Sequence, residues 1–400
     1  MTENTDVIVV GGGYAGVMAA NRLTRRDGVN VTLINPRPHF VERIRLHQLV
    51  TGSDDAVVDY QTILAGGVGL VVDTVTRIDA AERRVTLASG GSLDYDYLIY
   101  AVGSGSGVPN VPGAAEHAYR ISTLEQTQRL QPVIDAAHAS AALTVVGAGP
   151  TGLETASELA EQGRKVTLVC GEVLGPYLHP RARRAVAKRF AKLGVTVLEG
   201  PGATVTGVTG DAVQLADGRE FPSDVTIWTA GFGVPDLAAR SGLSTDALGR
   251  LLTDETLTSV DDARIIATGD SVSPSDLPVR MSCQSAMQLG PQAGETVLSR
   301  IAGKQPKNFS VGFFGECISL GRHAGIVQVA RKDDTVSRAY YEGGRSMAML
   351  KEGVCWSTVW QLRQEARHPG QLDLWFKDRR RRQVLGAKAG TTSADAGRMA

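Results

Sequence analysis

Short apolar runs alternate with helical stripes along the first half of the chain. Asp6–Val10 is a run of β-branched residues closed by a turn, which predicts a strand buried on both faces. Gly11–Gly16 follows. Val17–Leu23 then places apolar residues at helical spacing, and Val29–Ile34 predicts a second buried strand. The series is one strand–helix–strand unit. It recurs further on: Ala142–Val146 as strand, Gly147–Gly152 as turn, Leu153–Gln162 as helix and Lys165–Val169 as strand.

Between and after these units the period changes. Arg84–Leu87 and Val213–Leu215, with turns at Gly90–Gly91 and Asp217–Gly218, predict antiparallel layers. From Asn308 the chain predicts strands at Ile318–Val329 and Thr335–Tyr341, and a helix over Met347–Glu365. The end is basic, then rich in Gly, Ser, Ala and Thr without apolar periodicity, which predicts disorder.

Composition narrows the function. Hydrophobic residues make up 42% and charged residues 21%, which suits a folded soluble chain. Lys plus Arg is 42 and Asp plus Glu is 42, so a nucleic-acid-coating role is not expected. The balance is uneven along the chain. Residues 376–400 hold Lys377, Arg379, Arg380, Arg381, Arg382, Lys388 and Arg398 against Asp378 and Asp395, a net of +5. No apolar run reaches the roughly 18 residues of a membrane span. The polar start Met1–Asp6 does not read as a leader. Cys170, Cys283, Cys317 and Cys355 lie far apart, so no zinc knuckle or redox dithiol is written and no metal is expected.

Glycine is in excess, at 46 of 400 residues, and the two turns explain part of it. Each reads GxGxxG between a strand and a helix. Gly11 and Gly147 permit the tight turn, and Gly13 and Gly149 let backbone N–H groups approach a pyrophosphate. Gly16 and Gly152 let helix and strand pack closely. The fold class is therefore α/β, with two Rossmann-type dinucleotide-binding domains and a C-terminal α+β region. The ribose positions depart from the usual acid: Asn35 accepts without charge, and Cys170 leaves Glu172 to serve. The choice between NADH and NADPH stays open.

Two dinucleotide units in this order resemble the flavoprotein pyridine nucleotide–disulfide oxidoreductase superfamily. Tyr97–Gly103, Val225–Gly231 and Ala263–Asp270 resemble its further flavin and nicotinamide motifs. Arg280–Gly290 resembles the AQxAxQ segment of type II NADH:quinone oxidoreductases, with Gln284, Ala286 and Gln288 matching and Cys283 replacing the first Ala. The disulfide reductases' CxxxxC pair is absent from Phe40–Val50.

The resemblance implies FAD as cofactor and NAD(P)H as co-substrate, with hydride passing to flavin N5 and electrons then to a quinone or quinone-like acceptor. It implies catalytic roles for Glu154, near nicotinamide and flavin, and for Gln284 and Gln288 in the quinone slot. The implied cofactor-binding set is Gly11, Gly13, Tyr14, Ala15, Gly16, Asn35, Arg43, Val75, Ala101, Gly103, Gly147, Gly149, Pro150, Thr151, Gly152, Glu172, Ala230, Gly231, Gly269, Asp270 and Ser285. Residues 1–115 and 235–307 are expected to form the FAD portion, 116–234 the NAD(P)H portion, 308–375 a β/helical domain and 376–400 a basic tail.

The same fold also suits a reductase of a ferredoxin-like protein, a tailoring oxidoreductase for a small aromatic metabolite, or a flavin-binding sensor. Trp356, Trp360 and Leu372–Phe376 ahead of the Arg run suit peripheral contact with a membrane, a homodimer face, or packing on the core. The expected location is cytoplasmic, at the inner face of the membrane if docking occurs.

Overall fold

The computed structural model describes residues 4–105, 107, 109–371 and 380–396. Three sets of elements position the site. The first is β1 (Thr5–Val10), α1 (Tyr14–Leu23), β2 (Val29–Asn35), α2 (Leu46–Val50), β3 (Val68–Val72) and β4 (Tyr97–Tyr100). The second is β5 (Ala118–Arg120), β6 (Ala142–Val146), α3 (Pro150–Glu161), β7 (Lys165–Gly171), β8 (Thr196–Glu199) and β9 (Val225–Trp228). The third is β10 (Ile265–Ala267), α4 (Cys283–Ile301), β11 (Gly315–Ser319), β12 (Gly325–Ala330), β13 (Val336–Gly343), α5 (Arg345–Arg367) and α6 (Arg381–Ala396).

Two five-stranded parallel sheets form the body. Their orders are β10-β4-β1-β2-β3 and β5-β9-β6-β7-β8. β1 is central, and Val7–Val10 are buried, as an unbroken apolar run requires when helices cover both faces. β10 joins the first sheet from far along the chain through Ile265↔Leu98 and Ala267↔Tyr100. That pairing brings Gly269–Asp270 to the carboxyl end of the sheet, where the Gly11–Gly16 turn also lies.

The C-terminal strands β11, β12 and β13 form an antiparallel sheet. The expected single strand over Ile318–Val329 is broken by a turn, with β11 and β12 as its arms. α5 lies with Ala348, Lys351, Cys355, Thr358, Val359, Leu362 and Glu365 buried. Its seat is fixed by charge as well as by apolar packing. Arg22 of α1 reaches Glu365 with Nε at 2.5 Å and Glu295 of α4 with Nη1 at 3.0 Å.

The expectation of a disordered tail is corrected in part, because residues 381–396 are helical. Ala, Arg, Gln and Lys favour helix, and Arg381 anchors the start. It donates to both carboxylate oxygens of Glu255 at 2.7 and 2.9 Å and lies over the Phe309 ring. Leu372–Phe376 and Lys377–Arg379 lie outside the described residues.

Candidate active site

Both glycine turns join a strand to a helix at the carboxyl end of a parallel sheet. The tightness of the turns is measurable. A Cβ added at Gly16 would stand 1.9 Å from Gly11 O, and one at Gly152 would stand 1.8 Å from Gly147 O. Only glycine fits either place. Gly13 and Gly149, by contrast, face open space as the N-caps of α1 and α3. The helix N-termini thus present free N–H groups and a positive dipole end, which suits phosphate.

A cavity of about 790 Å³ runs along the first turn and on toward the second. Gly11–Ala15, Asn35, Arg43, Val75, Ala101, Gly103, Gly269 and Asp270 line it, as do Pro150, Thr151 and Glu154 of the second unit. Its far wall is Arg280, Cys283, Ala286, Glu316, Cys317, Lys351 and Val354.

Asp270 sits in a bonded cluster. Its Oδ2 accepts from Ser104 Oγ at 2.7 Å, its Oδ1 accepts from Ser282 N at 3.1 Å, and Arg43 Nη1 lies 3.8 Å away. Burial pushes its carboxyl up, against the opposing pull of Arg43. Asn35 has structural work that its position in the motif did not reveal. Its Oδ1 accepts from Gly12 N at 3.0 Å and its Nδ2 donates to Arg37 O at 2.8 Å. Tyr60 Oη donates to Gly12 O at 2.7 Å, so the first turn is braced from both sides.

Glu154 is buried in α3. Its Oε1 accepts from Ser319 N at 3.0 Å and pairs with Lys351 Nζ at 2.9 Å, and its Oε2 stands 3.6 Å from His47 Nδ1. Lys351 and His47 were missed by sequence reasoning. They come from α5 and α2, and no local spacing connects them.

Four expectations are not met by position. Gln284 and Gln288 share a face of α4, as their spacing requires, but they do not line the cavity. Gln284 accepts from Phe314 N and donates to Gly315 O at 2.8 Å. Gln288 donates to Gly312 O and accepts from Gly312 N. Both amides serve as partners of an extended backbone segment. Ser285 lies in the first turn of the same helix, which Ser282 caps; it donates to Arg280 O at 2.8 Å and also stands off the cavity. Glu172 is exposed just beyond β7 and does not line the cavity. Gly147, Gly149, Gly152, Ala230 and Gly231 belong to the second turn region behind Pro150 and Thr151. Among the described residues no group of three His, Cys, Asp or Glu side chains is placed to hold a metal ion.

Residues 5–293 match the family model for pyridine nucleotide-disulphide oxidoreductases. The chain belongs to this family. The oxidoreductase is FAD-dependent and takes NAD(P)H as co-substrate. An NADH dehydrogenase-like protein of Mycobacterium tuberculosis (strain ATCC 25618 / H37Rv) is 28% identical over 348 residues, 79% of this chain and 86% of that one. A type II NADH:quinone oxidoreductase of Staphylococcus haemolyticus (strain JCSC1435) is 26% identical over 381 residues, 85% of this chain and 93% of that one. The sulfide:quinone oxidoreductase of Aquifex aeolicus superposes with a TM-score of 0.77 at 20% identity, over 92% of this chain and 93% of that one.

The residues of the oxidoreductase fit the flavin dinucleotide. The open N-cap at Gly13 suits its pyrophosphate. Arg43 Nε, His39 Nε2 and Arg280 Nη2 are buried polar atoms of cavity-lining residues with no bonded protein partner. Such donors are costly unless a ligand meets them.

Proposed function

We propose that this enzyme passes electrons from NAD(P)H through FAD to a quinone, at a membrane surface, without a redox-active cysteine pair. Bound FAD supplies the chemistry, accepting hydride and releasing electrons. In this reading residues 1–115 and 235–307 hold the flavin and 116–234 hold the nicotinamide nucleotide. The α1 and α3 N-termini carry the two pyrophosphates, and Asp270 and Arg43 orient the flavin. The relative named as a type II NADH:quinone oxidoreductase supports the acceptor class.

The observation that carries the reading is the position of α5. Val354 lines the cavity, and beside it Met349, Leu350 and Trp356 are exposed, at 73%, 46% and 58%. Trp356 stacks on Trp360, and Arg363 and Arg367 continue the same side toward the helix end. An apolar face with aromatic and cationic flanks suits a lipid interface, and it adjoins the wall of the redox cavity. Among the described residues no helix is long and apolar enough to cross a membrane. The proposed contact is therefore peripheral, on the cytoplasmic side.

The cysteines support the remaining part. All four are free, and burial pushes upward the thiols of Cys283 and Cys317, which line this cavity, and that of Cys355, buried in α5. Neutral thiols are poor nucleophiles.

The test is anaerobic stopped-flow mixing of flavin-loaded protein with NADH or NADPH, followed by a soluble quinone. The flavin absorbance is expected to bleach and then return. Bleaching without return by any quinone overturns the acceptor; return with a reduced redox protein as product instead favours a ferredoxin-like partner.

A further inference from the structure

Arg280 is fixed from two sides. Its Nε donates to Asp334 Oδ2 at 2.7 Å and its Nη1 to Glu316 Oε1 at 2.5 Å, and the guanidinium lies 4.9 Å from the Phe313 ring centroid. The three charged residues come from separate places. Arg280 stands in the loop ahead of α4, Glu316 on β11 and Asp334 in the β12–β13 turn. Asp334 holds its carboxylate there from a left-handed backbone, at φ 64°, which costs a non-glycine residue free energy.

The pairing leaves two atoms over. Arg280 Nη2 and Glu316 Oε2 are buried, and neither has a hydrogen-bond partner among the described residues. Both residues line the redox cavity. A carboxylate set squarely on a guanidinium engages two nitrogens with two oxygens. Glu316 engages one, so a single ion pair keeps one donor and one acceptor in reserve. Burial pushes the Glu316 carboxyl up, against the pull of Arg280. An N–H on Oε2 would favour its ionised form.

The ligand that satisfies both atoms carries a carbonyl beside an N–H. A quinone carries carbonyls only, so it would meet Nη2 and leave Oε2 unpaired. The carboxamide of nicotinamide carries both groups, but its nucleotide is read at the α3 turn. The oxidised flavin ring carries one N–H, at N3, between two carbonyls. Ser282, two residues on from Arg280, donates its N–H to Asp270 at 3.1 Å, so the ion pair adjoins the cluster read above as orienting the flavin.

We propose that Arg280 and Glu316 together hold the pyrimidine edge of the flavin, Nη2 donating to a ring carbonyl and Oε2 accepting from the N3–H. The inference rests on the placement of FAD in the reading above and not on the identity of the acceptor. The pair fixes the ring against the far wall of the cavity. The Arg280 charge beside a carbonyl also favours the electron-rich reduced flavin, and the Glu316 charge moderates that effect.

The experiment uses holoenzyme loaded with isotope-labelled FAD and reads the flavin N3–H by proton–nitrogen NMR. In wild type the signal is expected downfield of free FAD and in slow exchange with water. In Glu316→Leu it should move back toward the free position, and FAD should leave the protein about ten-fold faster. Glu316→Gln keeps the shape of the side chain and one oxygen for Arg280, and it should move the signal in the same direction. A wild-type signal at the position of free FAD overturns the assignment, as does a signal unmoved in either folded variant. An unmoved signal with a raised KM for menadione gives the pair to the acceptor instead, and one with a raised KM for NADH gives it to the carboxamide. Wild type that shows the shifted signal, bleaches with NADH and does not recover with menadione loses the quinone reading and keeps this one.

Discussion

Gln288 and Gly312 are joined by a closed pair of hydrogen bonds, Nε2 donating to Gly312 O at 2.9 Å and Oε1 accepting from Gly312 N at 3.1 Å. Gln284 and Gln292, one turn away on either side, grip Phe314–Gly315 and Ser310 in the same way. Three amides along α4 therefore replace a neighbouring strand for residues 310–315, the segment that delivers β11 to the cavity wall. Gln288→Leu leaves both backbone groups of Gly312 unpaired. The expected cost is about 2–4 kcal/mol, read as a lower melting temperature, with the KM for a soluble quinone unchanged. A raised quinone KM at an unchanged melting temperature would instead return this amide to the acceptor site.

The two turns should fail separately. Gly16→Ala drives a Cβ into Gly11 O, so the purified protein is expected to lose its flavin absorbance. Gly152→Ala drives a Cβ into Gly147 O and to within 2.8 Å of Thr229 Oγ1. That variant is expected to keep its flavin but bleach with NADH about a hundred-fold more slowly. Normal bleaching by Gly152→Ala would remove the second turn from nicotinamide binding.

What the sequence revealed and what it hid divide along physical lines. The two strand–turn–helix units were legible because period, turn glycines and length all act within about 30 residues of chain. Asp270 was singled out by the resemblance of Ala263–Asp270 to a flavin motif, and the structure places it at the cavity wall. The functions of Gln284 and Gln288 were not. Their spacing correctly put them on one face, but what that face meets is decided by a segment that folds back onto α4. Lys351, Glu154 and His47 stand on three separate elements that meet only in the packed molecule. Asn35 was read as a ribose acceptor, and its bond to Gly12 became visible only with the turn in place.

The thiols offer an independent check on the proposal that no cysteine pair takes part in the chemistry. Burial pushes Cys170 and Cys355 up to about 12 and Cys317 up to about 11. At pH 7.5 the native holoenzyme is expected to take up maleimide slowly at all three, and rapidly once unfolded in guanidinium. Fast labelling of native Cys317, located by peptide mass, would show a reactive thiol at the cavity.

The exposed side of α5 is testable without disturbing its buried side. Leu350→Ser with Trp356→Ser is expected to abolish co-sedimentation with anionic vesicles and to raise the KM for a membrane-borne quinone. Bleaching by NADH should not change. Unchanged vesicle binding would place the contact elsewhere. Loss of a wild-type dimer in light scattering would assign the face to a second copy of the chain.

Glu158 gives the protein a specific acid sensitivity. Burial alone would raise its carboxyl, but His47, Thr51 and Arg322 outweigh that and hold it down to about 2. A depressed folded value means that the ionised form favours folding. The contribution is complete above the ordinary value near 4.5 and is lost as the pH falls from there toward 2. A shift of this size corresponds to on the order of 3 kcal/mol. Glu158→Gln removes that dependence. Its melting temperature is therefore expected to lie well below wild type at pH 7, with the gap narrowing as the pH drops below about 4.5. Parallel melting curves for the two proteins from pH 7 to pH 3 would show that the Glu158 carboxylate is not held by these partners.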